Sequence, residues 1–341
     1  MRLIESVWAG ESAADMLART ALAPLEGLFR GAVRARGWLY DIGLLKTEAA
    51  AIPTISVGNL TVGGTGKTPV SAWLAARLAA HGRTPAIVLR GYGGDEPLVH
   101  SRINPEIPVV IAPNRVEGIR EAATLGADVA ILDDAFQHRS AARDVDIVLV
   151  SADEWTGRAR VLPAGPFREP MSALSRASAV FITRKSATDE QVERVNRGVK
   201  SAAPGVTIAV LRLDLSGLVR ETPPVGRMPA PMIAGKNVLG IAAVGNPSAF
   251  FRQLNSLGAT LTPMAYPDHH DFTAAEIGEI SRKSADFDYV VCTLKDAVKL
   301  GPVWPASNPP LWYVSLAVLV ESGEAEIDDL LMRLKGRIAV T

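Results

Sequence analysis

The residues with the clearest chemical purpose lie in Ile55-Ser-Val-Gly-Asn-Leu-Thr-Val-Gly-Gly-Thr-Gly-Lys-Thr-Pro69. An apolar lead-in, clustered glycines and a Gly66-Lys67-Thr68 step before a helical pattern form a phosphate-binding P-loop. Backbone N–H groups of Thr61, Val62, Gly63, Gly64, Thr65 and Gly66 approach an anion where glycine relaxes the backbone, and the helix N-terminus adds its positive end. Lys67 is expected to reach the outer phosphates of a nucleotide, and the Thr68 hydroxyl to ligate Mg²⁺. Thr61 stands where the common form of the motif has its first glycine, and the glycines are displaced to 63 and 64.

Further along, the apolar run Ala127–Leu132 ends in Asp133 and Asp134. A carboxylate there supports the metal of a P-loop enzyme, directly or through water, and either aspartate fits. The segment Leu89-Arg-Gly-Tyr-Gly-Gly-Asp-Glu-Pro97 reads as a glycine-rich loop and a catalytic floor. In it Arg90 neutralises phosphate charge, and Asp95 or Glu96 accepts a proton from an attacking hydroxyl. The Pro/Gly-rich Leu162–Pro170 presents Arg168 and Glu169, and Arg115 and His138 also follow strand-like runs. In the second half, Gly245-Asn-Pro247, Pro267-Asp-His-His-Asp271 and Thr293-Leu-Lys-Asp-Ala-Val-Lys-Leu300 each follow an apolar strand. His269 and His270 adjoin carboxylates, which points to one acid–base histidine rather than a metal site, because neighbouring ligands diverge.

Alternating strand and helix patterns position these residues. Strands are expected at Thr54–Val57, Pro85–Leu89, Val109–Ile111, Val129–Leu132, Ile147–Val150 and Ala179–Thr183, with helices between several of them. This predicts an α/β fold: a P-loop NTPase-like, mainly parallel core with ligands beyond the strands' carboxyl ends. A hairpin-like β linker and a smaller second α/β domain follow. The expected divisions are 1–50 (helices), 51–206 (P-loop core), 207–235 (linker) and 236–341 (second domain).

The 341-residue length allows about two domains. Lys plus Arg equals Asp plus Glu, 36 each, so no global field points to nucleic acid. The single Cys292 lies in an apolar run and reads as core. No apolar run is long enough for a membrane span, and Glu5, Glu11 and Asp15 interrupt any signal-peptide core, which points to the cytoplasm. Residues 1–50 read as two or three helices. Within them Leu22, Leu25, Leu28, Phe29, Val33, Trp38, Leu39 and Leu44 alternate with Arg30, Arg34, Arg36 and Lys46, a basic amphipathic pattern suited to an anionic membrane or to core packing.

The whole set resembles the tetraacyldisaccharide 4'-kinase (lipid A 4'-kinase) family. It comprises Val57–Pro69, Arg90-Gly-Tyr-Gly93, Gly94-Asp-Glu-Pro97, Asp133-Asp-Ala-Phe-Gln-His138, Leu162–Pro170, Gly245-Asn-Pro247, Pro267-Asp-His-His270 and Lys295-Asp-Ala-Val298. Order and spacing match from about residue 50 to 300. The chain departs at Ala135, where the family usually has glycine, which predicts a locally perturbed backbone angle. It departs again at Leu294, where the family often has Glu, and in a shortened loop before Asp95.

The resemblance implies transfer of the ATP γ-phosphoryl group, with Mg²⁺, to the 4'-hydroxyl of a tetraacylated glucosamine disaccharide 1-phosphate, giving lipid IVA. It implies that Asp95 and His269 activate the hydroxyl, His269 being preferred because it directly follows an aspartate. It also implies peripheral residence on the cytoplasmic face of the inner membrane, with the basic helix on the bilayer, and gives no sign of an obligate protein partner. Closure carrying the Asp268–His270 loop to Asp95 is expected, since sequence order puts them in different domains. A kinase for another lipid or sugar, and a P-loop switch ATPase or GTPase, are the competing readings.

Overall fold

A computed structural model describes residues 7, 8, 10, 12–91 and 94–336. Tyr92 and Gly93 of the Arg-Gly-Tyr-Gly motif, and Glu5 and Glu11 of the N-terminal segment, lie outside the described residues. The chain divides into two compact units, one of residues 1–90, 104–212 and 318–341, the other of 91–103 and 213–317. Sequence order had put 91–103 in the core and 318–336 in the second domain.

Of the helices expected over residues 1–50, the described residues hold a 29-residue one, α1 (Ala13–Asp41), and Val7 and Trp8 ahead of it are also helical. Ser12 and Asp15 form a reciprocal capping box at its start, and Pro24 lies inside it. Its core is a parallel sheet of β1 (Thr54–Asn59), β2 (Pro85–Leu89), β3 (Val109–Ile111), β4 (Val129–Asp133), β5 (Val145–Ser151), β6 (Ala179–Arg184) and the first part of β7 (Thr207–Arg220). Spatially these run β7-β6-β5-β1-β4-β2-β3. Strands β1, β2 and β4 are buried throughout, as apolar strands covered on both faces must be. One face packs Phe136, Val148, Val180 and Ile182 with Val195 and Val199 of α5 (Asp189–Ala202). The other packs Val88, Val110 and Leu132 against Val116 and Ile119 of α4 (Arg115–Thr124). Between β1 and β2 runs α2 (Lys67–Ala80).

After β1 the chain skips over the β4 position to reach β2 and β3, then returns to β4 on one side of β1 and β5 on the other. In a parallel sheet such a change of direction marks the carboxyl end of β1 as the place where ligands bind.

The second unit has its own parallel strands in the order β10-β9-β11-β12: β9 (Asn237–Ala242), β10 (Thr260–Ala265), β11 (Tyr289–Cys292) and β12 (Leu311–Ser322). The end of β7 pairs antiparallel with β8 (Gly226–Met228). Helix α3 (Asp95–Ile103) belongs here, with α6 (Pro247–Ser256), α7 (Ala274–Ser284) and α8 (Leu294–Leu300). One face packs Leu239, Ile241, Val290 and Cys292 with Ile280 of α7 and Leu300 of α8; the other packs Val238, Ala242 and Val291 with Phe250 and Leu254 of α6. Cys292 is fully buried, and burial pushes its thiol far up, so it stays neutral core material. The last part of β12 and α9 (Glu324–Met332) return to the first unit, where Arg77 meets Asp328 at 2.8 Å and Glu324 at 3.1 Å.

Candidate active site

In the first unit, the loop after β1 has Gly63 at φ 130° and Gly66 at φ 92°, conformations that favour glycine; Gly64 needs no such freedom. Gly66 caps α2 without a side-chain hydrogen bond, which leaves the first amides of the helix suited to an anion. The loop is held from outside. Val62 N donates to Pro166 O at 2.9 Å and Arg168 N to Leu60 O at 2.6 Å, so the Leu162–Pro170 segment clasps its first limb. Thr65 is buried; its Oγ1 accepts from Asn59 Nδ2 at 3.0 Å and its carbonyl from Thr183 Oγ1 at 2.8 Å. Thr61 bridges to Phe167 and is half-buried, as is Thr68.

Lys67 Nζ lies 3.6 Å from Asp134 Oδ1, and Arg168 donates to the same carboxylate at 3.0 Å and also to Asn59 Oδ1. Burial by itself would raise the Asp134 carboxyl, but Lys67 and Arg168 outweigh it and hold the group below its ordinary range. Asp133 is buried at the end of β4, accepting from Ser71 Oγ of α2 at 3.2 Å, while Arg115 donates to its carbonyl at 3.2 Å. Asp134 itself has φ 51°, a left-handed conformation rare for residues other than glycine and one that gathers at functional sites. Next to it, Ala135 is buried and donates to Val57 O at 3.2 Å.

His138 is pushed down by burial and then by the positive charges of Arg115 and Arg90, against Asp134. Glu169 pairs with Arg176 at 2.9 Å, and that guanidinium lies 4.5 Å from the Phe136 ring centroid, a packing role. Glu154, which the sequence did not single out, faces the loop: a Cβ added at Gly63 would stand 3.0 Å from its Oε2. Burial raises its carboxyl, opposed by Lys185 and Lys67 and by the Gly64 amide. Asn59, Ser71 and Gln137, whose Nε2 donates to Asn59 O at 2.8 Å, also escaped sequence reasoning. Their signal was only a polar residue inside or beside a motif.

The second unit carries the other group of candidates. The segment expected as a floor loop turns into helix α3 at Asp95, where acidic residues suit the positive end. Asp95 is buried, and its Oδ1 lies 3.2 Å from His269 Nδ1. Both belong to the second unit, so the pair forms without the closure expected from sequence order. His269 has φ 56°. His270 turns elsewhere: its Nε2 sits 3.0 Å from both Glu276 oxygens, and its ring stacks on Tyr266 with centroids 5.1 Å apart. Glu96 Oε1 is 4.0 Å from Lys295 Nζ.

A glycine-bent loop at the carboxyl end of a central parallel strand, opening an uncapped helix beside a lysine and paired aspartates, defines a P-loop nucleotide-binding enzyme. A family model described as Tetraacyldisaccharide-1-P 4'-kinase matches residues 18–95 and 93–335. The chain belongs to this tetraacyldisaccharide 4'-kinase family. It is 39% identical to the tetraacyldisaccharide 4'-kinase of Anaeromyxobacter sp. (strain Fw109-5), over 95% of this chain and 94% of the relative. With that of Syntrophotalea carbinolica it shares 36%, over 89% of each chain. Among solved structures it resembles LpxK of Aquifex aeolicus, described as an "apo" form in complex with ATP. That likeness has a TM-score of 0.74 and 28% identity, and covers 93% of this chain and 99% of the other.

Proposed function

We propose that this chain transfers the γ-phosphoryl group of ATP to the 4'-hydroxyl of tetraacyldisaccharide 1-phosphate, giving lipid IVA in lipid A synthesis. The buried Asp95 against His269 at 3.2 Å is the observation that favours a transferase over a switch protein, because nucleotide-dependent switching needs no acid–base pair.

The P-loop residues Thr61–Thr68 cradle the donor phosphates, with Lys67 as the point charge that follows the transferred group. Thr68, Asp133 and Asp134 are the residues suited to Mg²⁺. A hydroxyl and two carboxylates are hard oxygen donors of the kind that would hold this ion. When bound, that ion supplies charge neutralisation at the phosphoryl oxygens. The lowered Asp134 carboxyl stays ionised for this purpose, and Arg168 orients it. Arg90, Arg115 and His138 gather positive potential beside it. With its Nδ1–H given to Asp95 Oδ1, His269 takes the acceptor hydroxyl's proton on Nε2, and the buried carboxylate stabilises the imidazolium that forms.

The acceptor carries four acyl chains, and α1 is the surface that suits them. The helix buries Arg19 and Glu26 while Leu17 and Leu28 are 71% and 72% exposed, with Met16, Leu25 and Trp38 also outward. Ile42, Leu44 and Leu45 extend this apolar surface, and exposed Arg34 and Lys46 complement an anionic leaflet. No described helix is long and apolar enough to cross a membrane. On this reading the enzyme lies on the cytoplasmic face of the inner membrane.

Incubation with labelled ATP and tetraacyldisaccharide 1-phosphate, resolved by thin-layer chromatography, tests the reading. A labelled lipid that Asp95→Asn no longer forms is expected; ATP hydrolysis indifferent to lipid, with no lipid product, would overturn it.

A further inference from the structure

The Thr293–Leu300 motif has no part in the chemistry above, yet its helix reaches His269 and Glu96, the neighbour of Asp95. Thr293 caps α8, its side chain accepting from Asp296 N and donating to Asp296 Oδ2 at 2.6 Å. The Asp296 carboxylate is buried and accepts Ala243 N at 3.2 Å on each oxygen. Ala243 O in turn accepts His269 N at 3.3 Å. One turn along α8, Lys299 Nζ donates to His269 O and His270 O, each at 3.1 Å, and meets Asp271 Oδ1 at 3.3 Å. On the same face, Lys295 approaches Glu96, the neighbour of Asp95 on α3.

The His269 backbone is therefore held on both sides, its N–H by a carbonyl tied through Ala243 to Asp296, its C=O by an ammonium. Its left-handed φ of 56° is a conformation that persists only where surroundings over-determine it. The Lys299 side chain is 15% exposed, more buried than a surface lysine forming a lone exposed ion pair.

We propose that Lys299 is a positioning residue of this kinase: it clamps the His269 and His270 carbonyls and so keeps the imidazole turned to Asp95. This rests on the reading of Asp95 and His269 as the acid–base pair. Three ammonium donors serve two carbonyls and a carboxylate, which no neutral side chain of similar length can do.

Steady-state kinetics of the full chain with ATP and tetraacyldisaccharide 1-phosphate test it. Lys299→Met should lower kcat by roughly 10- to 100-fold, the scale of an ångström-level misplacement, with KM for ATP within about 2-fold. Lys299→Arg, which keeps several donors, should recover most of the loss. In a His269→Ala background Lys299→Met should cost nothing further, because its effect passes through that imidazole. If Lys299→Met does not fold, Lys299→Gln carries the same comparison. A folded Lys299 variant with full kcat, or losses that multiply in the double variant, would overturn the clamp while leaving the pair intact. Full turnover by His269→Ala would instead show that the acid–base reading itself had failed, and the clamp with it.

Discussion

His269 Nδ1 and Asp95 Oδ1 lie 3.2 Å apart although 174 residues separate them in the chain. Asp95 is 1% exposed and His269 40%, so the carboxylate backs an imidazole that solvent and substrate can reach. Replacing Asp95 with Asn or His269 with Gln should lower kcat by roughly 10²- to 10⁴-fold, the usual contribution of acid–base catalysis. Binding of a fluorescent ATP analogue should change little, since neither residue belongs to the phosphate loop. Equal losses of binding and turnover would count against this division of labour.

Lys67 should behave in the opposite way. Its ammonium stands 3.6 Å from Asp134 at the head of α2, the end proposed to take the donor phosphates. Lys67→Ala is expected to weaken nucleotide binding and to lower transfer by about 10²-fold or more, as loss of a phosphate-directed charge does. Titration of the same fluorescent nucleotide distinguishes this variant from those of the Asp95–His269 pair.

The outward leucines of α1 make membrane binding separable from folding. Leu17→Asp with Leu28→Asp should abolish flotation with liposomes containing anionic lipid, while the melting temperature stays close to the parent's, because exposed positions contribute within about 0.5 kcal/mol. Reversing the arginines of α1 is a poorer probe. Arg30 is paired with Glu26 at 3.0 Å and Arg36 donates to Gln137 O at 3.1 Å, so their loss disturbs the fold as well. Unchanged flotation of the double aspartate variant would remove α1 as the membrane surface.

Acid should loosen the segment that carries the histidines. The Glu276 carboxyl is lowered from an ordinary 4.5 to about 2, first by the Thr273 amide and hydroxyl and then by His270. A lowered folded-state value means that its stabilisation is complete above about pH 4.5 and disappears as the pH falls towards 2, where the unfolded chain takes up the proton first. Melting temperatures of the parent and Glu276→Gln should therefore differ most at pH 5 and above and converge near pH 2. A constant gap across that range would exclude the linkage.

Gly58 offers a test of the core behind the phosphate loop. A Cβ at this position would meet Phe136 Cβ at 2.5 Å and Phe136 N at 2.7 Å, too close for either atom, and the second is backbone. Gly58→Ala should destabilise the protein by about 1–3 kcal/mol through overpacking, seen as a lower urea midpoint. The same change at exposed Gly64, where no atom lies within 4 Å of the added carbon, should leave the midpoint nearly unmoved.

Where chemistry and periodicity are local, the chain's own residues were sufficient. The strands of the first unit appear within a residue or two of their expected places, because continuous apolar runs between breakers admit little else. The loop before α2 was equally plain, since Gly63 and Gly66 are needed for its backbone and Lys67 follows at once. Asp95 was harder to place. Its glycine-rich approach suggested a loop, and the nine-residue helix that begins there is stabilised by packing in the second unit more than by its own sequence.

The amino-acid sequence by itself thus determined the family, the donor-phosphate loop and the strand–helix alternation, because each depends on residues close together in the chain. Tertiary structure decided which histidine faces Asp95, which unit Asp95 joins, and that Lys299 and Asp296 hold the backbone between them. It also decided that α1 buries Arg19 and Glu26 and leaves Leu17, Leu25 and Leu28 outside. Those outcomes depend on contacts across tens to hundreds of residues, such as Glu26 with Arg160, 134 apart, and they arise only when packing selects one partner among several of equal chemistry.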